Sequence, residues 1–338
     1  MIITRTPFRI SFFGGGSDLP SYYEPNQKGA VLSTTFNQYM YIVSHPYFHK
    51  DEYLLKYSKT ENEKDINKID HQILKATFKH LNIDPGIEIT SIADIPAGSG
   101  LGSSSTFTVG LLHNLYVYKK YLDYNNHYLD RKKLVIKHEL AELACKIEIE
   151  LMKKPIGKQD QYAASFGGFQ IYEFYKEGHV ETCPFPIRYK TLKELENNLF
   201  LFFVGNDNRD ADKILAKQSK QVGMSAKKTE TLHKMVDMVY EAKDALLANH
   251  PDHMGTLLNR AWEYKRSLCS NISNKTIDDT YEKALKAGAL VGKLLGAGGG
   301  GFLLLYIPKN KQETVIKKLG LQYIDLAFEN MGTTATTY

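Results

Sequence analysis

The stretch PAGSGLGSSS, residues 96–105, runs directly into TFTVGLLHNLYVYKKYL, whose apolar residues recur at three- and four-residue spacing. A glycine- and serine-rich loop that opens a helix aims backbone N–H groups at one point, where the helix dipole also favours negative charge. Two further clusters, FFGGGSDLP at 12–20 and GAGGGGF at 296–302, lie near the two ends of the chain. A single glycine cluster is usually a turn. Three of them, at the start, middle and end, predict segments that meet around one ligand.

The pattern excludes two common phosphate-binding folds. Gly296, Gly298 and Gly301 satisfy G-x-G-x-x-G, but a helix precedes them and a strand follows, the reverse of the dinucleotide-binding order. No Lys-Ser or Lys-Thr pair closes any of the loops, so a Walker A loop is absent as well. Because PAGSGLGSSS has no lysine, a bound phosphate must be met by backbone N–H groups, the helix dipole and a metal. Its serines suit two purposes, capping the helix or placing a hydroxyl on Mg²⁺, and the residues alone leave both open.

The rest of the chain is that of an ordinary globular protein. Its 338 residues suggest about two domains, and 43% hydrophobic residues supply a substantial core. The net charge of +5, from 43 basic and 38 acidic residues, favours small anions without the aromatic-interleaved basic runs of a nucleic-acid binder. Cys145, Cys183 and Cys269 are sparse, odd in number and far apart, as in a reducing cytoplasm, and match no zinc spacing. No apolar run spans a bilayer and the N-terminus is too broken for a signal peptide, so the expected location is cytoplasmic, with no membrane and no nucleic-acid partner. Monomer and homodimer both remain open.

The first ninety residues read mostly as strands (IITRTPFRISFF, AVLSTTF, YMYIVSHPYF, YLLKYS and GIEITSI), with a helix around 65–81. Helical periodicity follows the loop, and Pro155 and Gly157 end the second helical run. GGFQIYEF and LFLFFVG are further strands, then four amphipathic helices lead into GAGGGG and the strand FLLLYI. Two prolines near 184–195 mark the expected boundary, giving domains 1–188 and 189–338.

PAGSGLGSSS closely resembles the phosphate loop of the GHMP small-molecule kinases, with Ser105 where alanine is more usual. TPFRISFFGGGSDLP resembles that family's first motif and GAGGGGF its third, in family order. Within the family, GGGSDLPSYY, PIGKQDQYAASFGG and KLLGAGGGGF look most like the kinases of D-glycero-D-manno-heptose 7-phosphate. The resemblance implies an α+β, two-domain fold: an N-terminal half like domain 2 of ribosomal protein S5, which holds the nucleotide loop, and a ferredoxin-like C-terminal half. It also implies transfer of the γ-phosphate of ATP, with Mg²⁺, to the anomeric hydroxyl of a sugar phosphate. The alternatives are a 1-kinase for a free sugar such as fucose, or a non-catalytic sugar sensor.

Roles carry over residue by residue as implications of that resemblance. Asp160 is the expected base or orienting group, although an Asp there serves equally as a helix cap. Lys158 is expected to add positive charge nearby and Arg9 to lie near the reacting phosphate. Pro96, Gly98, Ser99, Gly100, Leu101, Gly102, Ser103 and Ser104 form the expected ATP loop. Ser104 and Glu148 are the expected Mg²⁺ ligands, against the plainer reading of Glu148 as a solvated helix face. Gly15, Gly16, Ser17 and Asp18 are assigned to the sugar. Galactokinases tend to carry Glu-His where this chain has Gly15-Gly16, which makes room and argues against a plain hexose. Arg209 and Lys265 are candidates for the substrate's own phosphate, and Gly298 and Gly299 would close the site.

Overall fold

The computed structural model is described here for residues 1–125, 136–205, 211–269 and 272–338. Strand β1 (Ile2–Phe13) is buried over its whole second half, and β2 (Lys28–Pro46) is long enough to serve two neighbours. The sequence reads β2 as two strands, but Asn37 and Gln38 do not break it. Its first part pairs with β6 (Gln170–Tyr175) and its second part with β5 (Ile87–Ala93). Two register shifts in β1, at Pro7/Arg9 and Ser11/Phe13, accommodate this and re-aim side chains between them. The hairpin β3 (Tyr53–Lys56) and β4 (Thr60–Glu63) extends the sheet beyond β5, while β7 (Val180–Pro184) pairs with β6.

Between them lie α1 (Pro20–Asn26), α2 (Gln72–Leu81), α3 (Ser103–Asn125), α4 (Lys137–Cys145) and α5 (Gln159–Phe166). Helix α3 lays Leu111 and Leu115 into the core beside β1 and β2, and Val109 and Leu112 against Leu140, Ala144 and Ala164 of α4 and α5. After α4 the helix loosens into one π-helical turn, Lys146–Leu151.

A second sheet is formed by β8 (Leu199–Phe203), β9 (Val291–Leu294), β10 (Phe302–Tyr306) and β11 (Tyr323–Asp325), in the order β11-β8-β10-β9 and antiparallel throughout. The helices are α6 (Tyr189–Asn198), α7 (Ala211–Met224), α8 (Ala226–Leu247), α9 (Pro251–Leu268), α10 (Lys275–Ala287) and α11 (Gln312–Leu319). Helices α7 to α10 lie between β8 and β9, and α11 lies between β10 and β11, so the connectivity is a β-α-β-β-α-β ferredoxin-like unit with added helices, as expected.

The last strands, β12 (Phe328–Glu329) and β13 (Thr334–Thr337), return to the first sheet and pair with β2 and β1. A division at 188/189 therefore separates most of the two sheets but leaves this tail with the first. One hydrophobic core runs through both, with Phe8 and Phe12 joined to Leu201, Met254 and Leu304. No helix among the described residues is long and apolar enough to cross a membrane.

Candidate active site

The three glycine clusters meet as expected. A Cβ added at Gly301 would lie 2.1 Å from the carbonyl oxygen of Ser99, so the third cluster packs directly on the second. Beside them a cavity of about 580 Å³ opens between the halves and is lined by all three clusters.

In the loop 96–105, Gly98, Gly100 and Gly102 take φ of +74°, +87° and +80°, a left-handed conformation that glycine alone adopts without strain. Their alternation fixes which residues face inward. Pro96, Gly98, Gly100, Gly102, Ser103 and Ser104 line the cavity. The side chains of Ser99 and Leu101 are fully buried beneath it and support the loop from behind, so these two expected loop members do not line the cavity.

At the head of α3 the Ser104 hydroxyl meets Glu148 Oε1 at 2.5 Å. Glu148 has no exposed surface, and its other oxygen accepts from the Gln161 amide at 2.8 Å. The solvated-face reading of Glu148 is thus excluded; Glu150, two residues on, is the exposed one. The π-turn produces this placement by shifting the helix register at Glu148. Lys154 Nζ touches both members of the pair, Ser104 Oγ at 2.5 Å and Glu148 Oε1 at 3.1 Å. No motif singles out this lysine. It arrives because Lys153 adopts φ of +56° and folds the chain back over the π-turn. A hydroxyl and a buried carboxylate already holding one cation are a donor set that fits a magnesium ion.

Arg9 and Asp160 form a bidentate pair: Nε and Nη2 donate to Oδ1 and Oδ2 at 2.7 and 2.8 Å. The third arm, Nη1, donates to the Gly100 carbonyl at 2.9 Å, tying the carboxylate to the phosphate loop. Arg9 is nearly inaccessible, Asp160 is partly open, and both line the cavity. Asp160 sits in the first turn of α5, yet no side-chain cap bond forms at that end, so the capping reading fails. Lys158 does not join it. Its ammonium turns to Glu142 at 2.9 Å and the Gly178 carbonyl at 2.7 Å, away from the cavity. Two residues apart on a helical turn point in nearly opposite directions, which is why sequence adjacency misled here.

Asp18 is buried beside Asp160. Burial, then the Asp160 charge, push its carboxyl up to about 6. Oδ1 accepts from the Gly16 N–H at 3.0 Å, and a Cβ at Gly157 would come within 2.0 Å of Oδ2. Gly157 therefore does more than end a helix: its missing side chain makes room for Asp18. Gly15 and Gly16 line the cavity, but Ser17 does not. Its hydroxyl exchanges hydrogen bonds with Ala30, donating to O at 2.9 Å and accepting from N at 3.0 Å.

Lys265 lines the cavity while donating to the carbonyls of Leu294, at 3.0 Å, and Gly296, so its ammonium braces the third glycine loop. Gly296 and Ala297 face the cavity. Gly298 and Gly299 instead pack on Ile272, whose carbonyl accepts from the Gly299 N–H at 2.9 Å. Arg209 lies outside the described residues. A lysine that the sequence did not single out, Lys293 on β9, is buried and donates to the Ser11 and Phe12 carbonyls of β1 at 3.0 and 2.6 Å. Burial and the nearby Arg9 lower its ammonium to about 7, and no carboxylate among the described residues pairs with it.

At the far end Tyr57, His71 and Phe107 form an aromatic wall, with ring centroids 4.7 and 4.9 Å apart in succession. His71 Nδ1 accepts from the Leu74 N–H at 3.3 Å, so the neutral ring carries its proton on Nε2, and burial lowers its pKa.

Residues 68–168 match the family model of the GHMP kinases N terminal domain, and residues 242–325 match that of the GHMP kinases C terminal domain. The D-glycero-alpha-D-manno-heptose 7-phosphate kinase of Campylobacter jejuni is 30% identical over 94% of this chain and 93% of its own. This chain is a GHMP kinase. The galactokinase of Thermococcus kodakarensis is 27% identical, again over 94% of this chain and 93% of its own. Among solved structures, a D-glycero-D-manno-heptose 1-phosphate kinase from Bacteroides thetaiotaomicron superposes with a TM-score of 0.78 at 24% identity, covering 100% of this chain and 99% of that one. The mevalonate kinase of Methanococcus jannaschii does so with 0.72 at 22% identity, covering 98% of each chain. The last two establish the two-domain fold. As a GHMP kinase the chain uses ATP as phosphoryl donor.

Proposed function

We propose that this GHMP kinase transfers the γ-phosphoryl group of ATP to the anomeric hydroxyl of D-glycero-D-manno-heptose 7-phosphate, giving the 1,7-bisphosphate for activated-heptose synthesis. The observation that carries the reading is one continuous cavity in which the phosphate loop, the Arg9–Asp160 pair and the Asp18–Gly16 turn stand side by side. The full-length relationship to a heptose 7-phosphate kinase supports the sugar.

Asp160, oriented by two guanidinium bonds, accepts the proton of the anomeric hydroxyl as that oxygen bonds to phosphorus. The phosphorus–oxygen bond to ADP breaks, and its electron pair leaves with ADP. Arg9 links the base to the loop so that the two cannot drift apart. Ser104 and Glu148 would hold the Mg²⁺, which supplies charge neutralisation to the phosphates. Lys154 stays beside them as a further cation. Lys293, held by two β1 carbonyls at the sugar end, is only partly charged near pH 7, and an anionic substrate would favour its charged form. The wall of Tyr57, His71 and Phe107 takes the nucleotide base by stacking.

The test is ADP release with Mg-ATP against heptose 7-phosphate, mannose 6-phosphate, free mannose, fucose, galactose and mevalonate. Turnover dominated by heptose 7-phosphate is the expected result. A free sugar or mevalonate turning over best would overturn the substrate and leave the kinase chemistry in place.

A further inference from the structure

Gln218 lies on α7, in the second half of the chain, yet its side chain reaches the first glycine cluster. A Cβ placed on Gly16 would stand 2.4 Å from Gln218 Nε2. The carboxamide thus occupies the volume that a side chain at position 16 would otherwise fill. Gln218 is only 4% exposed, and it lines the cavity together with Gly15, Gly16 and Asp18. Neither end of its amide hydrogen-bonds another described residue, and the amide stays accessible from the cavity. An amide that faces a cavity is met by water there, and a ligand that displaces the water must offer hydrogen bonds in its place.

The position is anchored. Ser219, the next residue, donates to the Ser21 hydroxyl at 2.9 Å, and Tyr22 on α1 pairs with His233 Nδ1 at 2.7 Å. These two contacts hold α7 and α8 against α1. They set the backbone that carries Gln218 beside the Asp18 turn.

We infer that Gln218 is a specificity-determining residue whose carboxamide hydrogen-bonds a hydroxyl of the sugar acceptor beside Asp18. The inference rests on the kinase reading above. An amide offers two donors and one acceptor oxygen, whereas Asp18 when ionised only accepts. Together they read the orientation of neighbouring hydroxyls, since a hydroxyl of the wrong configuration leaves a buried polar group unpaired. Selection built on such an unpaired group is steep compared with selection by size alone. The missing side chain at Gly16 is thus replaced by one from the other half, and the pocket is complete only when the two halves are packed together.

The experiment is calorimetric titration of the full chain with heptose 7-phosphate and, separately, with Mg-ADP. Wild type is compared with Gln218→Met, which keeps the volume, and Gln218→Glu, which keeps an acceptor and loses both donors. The expected result is heptose 7-phosphate binding weakened about tenfold to a hundredfold in both variants, with Mg-ADP affinity within twofold of wild type. Unchanged sugar binding in both variants would overturn the role of Gln218 and leave the kinase reading standing. Equal weakening towards both ligands would also overturn it, because the effect would then be a general distortion. A wild type that binds Mg-ADP but not the sugar phosphate would overturn the substrate reading, and Gln218 with it.

Discussion

The two ends of the cavity are built in opposite ways. At the phosphate end, most of residues 96–105 face the ligand space from one uninterrupted stretch, backed by Ser99 and Leu101. At the sugar end, neighbouring positions come from Gly16 and Asp18, from Gly157 and Gln159, from Gln218, and from Lys293, spread over nearly the whole chain. A loop of consecutive N–H groups can recognise a phosphate whatever else the molecule binds. The sugar end depends on packing between the two halves. The phosphate end should therefore tolerate damage at the sugar end, while catalysis needs both.

The largest effect that tests this division is expected at the boundary. Asp160→Asn keeps the shape and removes the proton acceptor, so kcat should fall by about a thousandfold, within the usual range for a positioned general base. Binding of Mg-ADP should stay within a few-fold, because the loop does not need the carboxylate to fold. Retention of wild-type kcat would remove Asp160 from the chemistry and leave it as an anchor for Arg9.

Next in size is Ser104→Ala, which deletes the hydroxyl that meets Glu148. The Mg²⁺ concentration giving half-maximal rate should rise at least about tenfold, since support of a metal site is typically worth that much. The KM for the sugar should stay near wild type. A change in sugar KM as large as the change in Mg²⁺ dependence would show that the two ends are not separable.

The sugar end also stores a cost that the phosphate end does not show. Asp18 has a folded pKa near 6, raised from 3.8 chiefly by burial. The folded state therefore binds the Asp18 proton more tightly than the unfolded chain does. Stability falls as pH rises from about 4 through 6, and the penalty is complete above that range. Asp18→Asn should remove it, stabilising the protein at pH 7.5 by up to about 3 kcal/mol while sharply raising the sugar KM. Urea unfolding at pH 7.5 and near pH 4 checks the sign, because the advantage of the variant should nearly vanish at the lower pH. An advantage independent of pH would contradict the buried-charge account.

The contrast also explains what the sequence made legible. The glycine-rich loop and its helix come from a short motif whose geometry is local, and Ser104, Glu148, Arg9 and Asp160 were each singled out from motifs, but the Arg9–Asp160 pairing was not foreseen. Strands β8, β10 and β11 were visible as runs, but β9 was not: GALVGKLLG reads as the end of a helix, whereas α10 stops at Ala287 and a strand, Val291–Leu294, precedes the third glycine cluster. The return of β12 and β13 to the first sheet was not visible, since two short strands carry no address. Lys154 was hidden because its position depends on a π-turn and a left-handed residue, neither of which has a reliable sequence pattern. Gln218 and Lys293 were hidden for a different reason: Gln218 belongs to an ordinary amphipathic helix and Lys293 to a short buried strand, and only the packing of the halves carries each to the cavity. Ser17, Gly298 and Gly299 show the converse, as motif residues that hold the backbone rather than face a ligand.

Lys158 offers the smallest effect and the sharpest use of the comparison. It stands in the same motif as Asp160, two residues away, and proximity in sequence would give the two a shared role. In the fold its ammonium joins Glu142 and the Gly178 carbonyl, linking α4, the start of α5 and the turn after β6. Because the Glu142 side chain is 36% exposed, the ion pair is substantially screened. Lys158→Met should therefore lower stability by about 1 kcal/mol or less and leave kcat, and both Michaelis constants, within about twofold. If kcat instead fell tenfold at unchanged stability, the ammonium would act on the reacting groups through α5. The boundary between scaffold and chemistry would then run on the far side of Lys158 rather than between it and Asp160.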